Sequence, residues 1–147
     1  MMVSEPITIL VADDDPGHCE LIRRNLRRVV AGNPVVVVHS GDAALDFVLG
    51  RDATERLMVL MDINMPGATN GVDALRQIKA SPATRTLPVF MLTSTDDPRE
   101  VAGCYALGCN IYLTKPVDPA NFIEAIGRLG RMIEIMDVPP FGATEPA

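Results

Sequence analysis

Five short runs along the chain are apolar at nearly every position: "ITILVA" (7–12), "VVVVH" (35–39), "LMVLM" (57–61), "PVFML" (88–92) and "IYLT" (111–114). Strict alternation would mark a strand with one wet face, so unbroken apolarity predicts strands covered on both sides. A stretch with helical spacing follows each run. After the first, Cys19, Leu21, Ile22, Leu26, Val29 and Val30 recur at intervals of three, four and seven. After the third, Val72, Leu75 and Ile78 do the same. This βα alternation predicts an α/β protein, a parallel five-stranded sheet with helices on both faces.

Helix starts are marked by an acid followed by proline. Asp15-Pro16, Asp97-Pro98 and Asp118-Pro119 each offer an N-cap carboxylate and a proline at the first helical position. Glu100, three residues after Asp97, completes a pattern resembling a capping box. No internal repeat interrupts the 147 residues, a length that suggests one domain around one core.

Charge and composition narrow the partners. The net charge is −6, and the one basic cluster, "RRNLRR" (23–28), falls on the first helix, where a solvated face accounts for it. Nucleic acid is therefore not an expected partner. Cys19, Cys104 and Cys109 match no metal-ligand spacing and are expected to be reduced, partly buried thiols. The start "MMVSEP" has no basic, apolar secretory pattern, and no run is long enough to span a membrane. A soluble, cytoplasmic protein is expected.

The polar residues gather where the apolar runs end. The first run delivers Asp13 and Asp14, the third Asp62, the fourth Thr93 and the fifth Lys115. In an open parallel sheet the carboxyl ends of the strands line the ligand crevice. A lone strand-end Asp is ordinarily a cap and a lone Lys-Pro a bend, but five such residues converging is a site. Adjacent carboxylates repel unless a cation neutralises them. Hard carboxylate oxygens suit Mg²⁺, and with no Cys or His in the set zinc is disfavoured. His18 and His39 read as a helix residue and a strand-end residue with no catalytic role.

In this order "ILVADDDP", "VLMDINMPG", "MLTS" and "YLTKP" closely resemble the receiver domain of two-component response regulators. The resemblance covers residues 6–130 and leaves 131–147 as a helix extension with a Pro-rich tail. It implies the flavodoxin-like, doubly wound strand order 2-1-3-4-5. It implies that Asp62 is the phosphoacceptor of a sensor histidine kinase, in a Mg²⁺-dependent transfer, and that small phosphodonors also serve. Asp13, Asp14, Asp62 and the Asn64 carbonyl would hold Mg²⁺, Lys115 would pair with the phosphoryl group, and Thr93 would hydrogen-bond it. Thr93 and Tyr112 would form the switch, against a plain reading of Tyr112 as a half-buried strand aromatic. Asn64 and Thr95 would tune dephosphorylation, and the Lys115-Pro116 bond would be cis. The loop "INMPGATNG" is one residue longer than the commonest family pattern.

The last helix adds a feature of its own. Phe122, Ile126, Leu129, Ile133 and Met136 follow a 4-3-4-3 spacing, the seam of a coiled coil, and Met132 to Met136 is apolar nearly all round. A homodimer through this helix is expected; the plainer alternative covers it with the chain's own tail through Phe141. With too few residues for an output domain, a stand-alone receiver is expected to signal through a downstream protein or a phosphotransferase. "IKASPATRTLPVFMLTST" and the extended helix look similar to stand-alone receivers that accompany phytochrome-type histidine kinases, which makes a bacteriophytochrome a candidate partner. Two rivals stand beside this reading. One is a haloacid-dehalogenase-like aspartyl phosphatase, using the Asp13/Asp15 pair as its DxD. The other is a receiver-fold adaptor that is never phosphorylated.

Overall fold

The computed structural model describes residues 6–29, 32–52, 55–93 and 97–114. Strands β1 (Thr8–Ala12), β2 (Val35–Val38), β3 (Leu57–Asp62), β4 (Val89–Thr93) and β5 (Ile111–Thr114) alternate with helices α1 (Pro16–Val29), α2 (Gly41–Leu49), α3 (Gly71–Ala80) and α4 (Pro98–Ala106). All five predicted strands form, and all pair in parallel in the order β2-β1-β3-β4-β5. The expected final helix, the Asp118 cap and the Lys115-Pro116 bond lie outside the described residues.

The unbroken apolarity of the strands is explained by two cores, one on each face of the sheet. Alternate residues of a strand point to opposite faces. Leu57, Val59 and Met61 therefore join Leu45, Val48, Leu75 and Ile78 on the side of α2 and α3. Met58 and Leu60 join Ile22 and Leu26 of α1 on the other side. Every residue of β3 and β4 is buried, whereas edge strand β2 is only partly covered.

Helix starts follow their sequence signals. Asp15 accepts from the Gly17 and His18 amides at the start of α1. Asp97 caps α4 by accepting from the Arg99 amide, with Pro98 in the first turn. Glu100 accepts instead from the Tyr112 hydroxyl of β5, 3.3 Å away. Helix α3 opens with Asn70 and a reciprocal capping box with Asp73. Helix α4 ends in a Schellman turn. Gly108, at φ +103°, donates to the Tyr105 carbonyl, and Cys109 donates to the Cys104 carbonyl.

Candidate functional site

The strand order reverses direction between β1 and β3, so the crevice beyond their carboxyl ends is the topological switch point. Ala12 pairs with Met61, which makes Asp13 and Asp62 the next positions on adjacent strands. Asp13, Asp14 and Asp62 each bring a carboxylate oxygen to within 4.8 Å of the others. Asp13 is fully buried and Asp62 nearly so, while Asp14 is exposed and marks the side on which the cluster opens to water.

Local turns aim these acids. An Asp13 carboxylate oxygen accepts the Asp15 amide at 2.9 Å, and an Asp62 oxygen accepts the Asn64 amide at 3.2 Å. In both, the side chain bonds the backbone two residues on, an Asx turn at a strand end. The third acid of the opening run, Asp15, serves α1 as its cap, as its position before proline suggests. His18 lies beside this pair, its Nδ1 3.5 Å from Asp15 and 3.8 Å from Asp13.

The donor set is three carboxylates with no cysteine or histidine among them. Such hard oxygens, partly buried and mutually repelling, fit a hard divalent cation of the Mg²⁺ or Mn²⁺ type.

The remaining site residues fall around this cluster. Leu92 pairs with Asp62, so Thr93 closes β4 one position beyond, fully buried. Thr93 pairs with Thr114, the last residue of β5 and the one before Lys115. Lys115 and Thr95 lie outside the described residues. Tyr112 is half-buried against Thr93 and Glu100. Its hydroxyl donates to Glu100, and Thr93 hydrogen-bonds the same phenol oxygen. Burial first, then the Glu100 charge, pushes this phenol up to about 12.

Some residues at the site are hard to find by reading along the chain. Gly71 has no room for a side chain: a Cβ there would lie 2.2 Å from the Asp62 carbonyl oxygen. Its amide also donates to the Ile63 carbonyl at 3.0 Å. The start of α3 thus rests directly on the backbone of the β3 end. His39 and Cys19 both reach the backbone carbonyl of Asp13. Asn70 could have been found, since Asn followed three residues later by an acid is a capping signal.

Parallel topology, strand-end acids and a switch-point crevice define a receiver, and the chain belongs to that family: the response regulator receiver domain matches residues 9–127. A response regulator receiver domain from Rhodospirillum rubrum superposes with a TM-score of 0.85 at 41% identity, covering 92% of this chain and 99% of that one. The bacteriophytochrome response regulator RtBRR superposes with a TM-score of 0.71 at 34% identity, over 94% of this chain and 86% of that one. The probable methanogenesis regulatory protein FilR2 of Methanothrix harundinacea is 32% identical over 116 residues, 77% of this chain and 74% of that protein. Receivers are phosphoacceptor signalling proteins rather than classical enzymes, and the doubly wound order 2-1-3-4-5 is the one observed here.

Proposed function

We propose that this protein is a single-domain response regulator that accepts a phosphoryl group on Asp62 from a sensor histidine kinase. The observation that carries the reading is the three-carboxylate cluster at the switch point of a receiver fold. Phosphoryl transfer asks a protein chiefly to position groups and neutralise charge. Asp62 stands at the end of a fully buried central strand, from which its carboxylate would meet a phosphodonor beside the exposed Asp14. Asp13, Asp14, Asp62 and the Asn64 carbonyl would hold Mg²⁺, which when bound offsets negative charge between the carboxylates and the incoming phosphoryl oxygens. Thr93 and Lys115 would take phosphoryl oxygens, with Asn64 and Thr95 flanking the path of attacking water. Asp15 is engaged as a helix cap, which weighs against its service as the second acid of a phosphatase DxD.

The signal would pass through Thr93. A phosphoryl group on Asp62 offers new acceptor oxygens that compete for the Thr93 hydroxyl. The bond from Thr93 to Tyr112 is then lost, leaving the ring tethered by Glu100 of α4 and biasing the α4–β5 face. A bacteriophytochrome is the proposed kinase class, supported by the likeness to RtBRR. The protein would work in the cytoplasm; no helix among the described residues is long and apolar enough to cross a membrane. Residues 6–130 would form the receiver and 131–147 the extension, with a homodimer through the last helix supported by the 4-3-4-3 seam. Equilibrium sedimentation showing a monomer at micromolar concentration would remove the dimer. Its output would be a protein contact or a phosphotransferase.

The test of Asp62 is intact mass after incubation with Mg²⁺ and acetyl phosphate, for wild type and Asp62→Asn. One added phosphoryl group in wild type alone is expected. No gain, or an equal gain in the variant, overturns the assignment.

A further inference from the structure

The Asp13 backbone is secured in an unusual way. Its amide donates to the Val38 carbonyl at 3.1 Å, the last rung between β1 and β2. The next rung of a parallel ladder would bring the residue-40 amide to the Asp13 carbonyl. The chain turns into α2 at that point, with Ser40 as the N-cap. Two side chains approach the carbonyl instead: His39 Nδ1 at 3.0 Å and Cys19 Sγ at 3.2 Å. These two atoms are themselves 3.9 Å apart. A carbonyl oxygen only accepts, so a hydrogen bond here requires the tautomer of His39 that carries a proton on Nδ1.

The carbonyl so held belongs to the peptide unit that joins Asp13 to Asp14. That unit is planar and joins the two Cα atoms that bear these side chains, so holding it restrains the backbone from which both carboxylates are presented. Three carboxylates within 4.8 Å repel, and a shift of the backbone that carries two of them would help them part. We propose that His39, seconded by Cys19, is a positioning residue for the cation site, locking the Asp13–Asp14 peptide plane so that both carboxylates are aimed before a cation arrives. This rests on the reading of the three-carboxylate cluster as a divalent-cation site. It assigns a purpose to a histidine that no phosphoryl chemistry requires.

The experiment uses the full chain and two readouts. The first is the tautomer of His39, read from long-range ¹H–¹⁵N correlation with no cation present. Nδ1–H in the neutral ring is expected; Nε2–H overturns the clamp whatever the cation does. The second is Mn²⁺ affinity, from the free-ion signal in electron paramagnetic resonance, for wild type, Asp13→Asn, His39→Leu and His39→Asn. Loss of an outer partner of a metal ligand commonly costs a factor of ten or more, so His39→Leu is expected to weaken Mn²⁺ binding about tenfold. His39→Asn keeps an N–H donor near the Nδ1 position and is expected to restore affinity to within about twofold of wild type. Leu and Asn variants of equal affinity overturn the proposal, because a merely structural role would not separate them. Wild type and Asp13→Asn of equal affinity overturn the cation reading, and the positioning role with it, while the tautomer still reports on the clamp.

Discussion

Tyr112 shows how much one residue's surroundings can decide. Its phenol is half-buried, with Thr93 behind it, Glu100 in front and the Cys104 thiol near by. Burial and the Glu100 carboxylate both oppose the phenolate, raising the group from its ordinary 10 to about 12. Between those values the unfolded chain has released the proton and the folded chain has not. This contribution to stability is whole below pH 10 and is lost as pH rises toward about 12. In a Tyr105→Phe background, absorbance of the single remaining tyrosinate should titrate near pH 12. Adding Glu100→Gln should lower that midpoint. An unchanged midpoint would show that Glu100 does not bear on the ring, and the tether between α4 and β5 would fall with it. Asp62 makes the complementary point at the same scale. Its position was readable because a buried apolar run must stop where a charge begins.

Helices and strands differ in how tightly they bind the site. The first turn of α3 is pressed onto the β3 end, and Gly71→Ala would drive a methyl group into the Asp62 carbonyl. The expected cost is about 1–3 kcal/mol in urea unfolding, as for other overpacked positions. If Asp62 is the acceptor as proposed, the phosphorylation rate should fall with it, because the backbone that must yield is that of Asp62. Gly103, in α4, has open space around its missing Cβ. Gly103→Ala should stabilise by roughly 0.5–1 kcal/mol through helix propensity alone. The contrast checks that the Gly71 effect is local crowding. Legibility in the sequence follows the same division. The strands, the caps at Asp15 and Asp97 and the acids at strand ends depend on neighbours along the chain, so period and punctuation reveal them. His39 owes its role to a contact with Asp13 set by how β1 and β2 pair, while Gly71 and Cys19 owe theirs to how the chain folds back from a strand end into the following helix, which periodicity does not describe. Among the described elements the strand order came from resemblance, since periodicity does not say which parallel strands are neighbours.

At the scale of the molecule the site is a product of folding. Asp13 and Asp14 come from β1 and Asp62 from β3, strands whose register joins Thr8 to Leu57. An unfolded chain cannot gather these carboxylates, so a cation that binds them binds the folded state selectively. At a hundred times its dissociation constant such a ligand adds about 2.7 kcal/mol. Mg²⁺ should therefore raise the thermal midpoint in a dose-dependent way, and Asp13→Asn should blunt the response. A midpoint indifferent to Mg²⁺ would count against the cation site. The cysteines supply a ready means of watching the same protein open. None of the three is in a disulfide and all are buried: Cys19 against the Asp13 backbone, Cys104 and Cys109 at the far end of α4. Burial, with the neighbouring Cys104 adding to it, pushes the Cys109 thiol up to about 11. Alkylation in native buffer must then wait for the structure to breathe. Peptide mapping of the labelled chain would keep two clocks, one beside the three-carboxylate cluster and one at the end of α4, with no foreign probe attached.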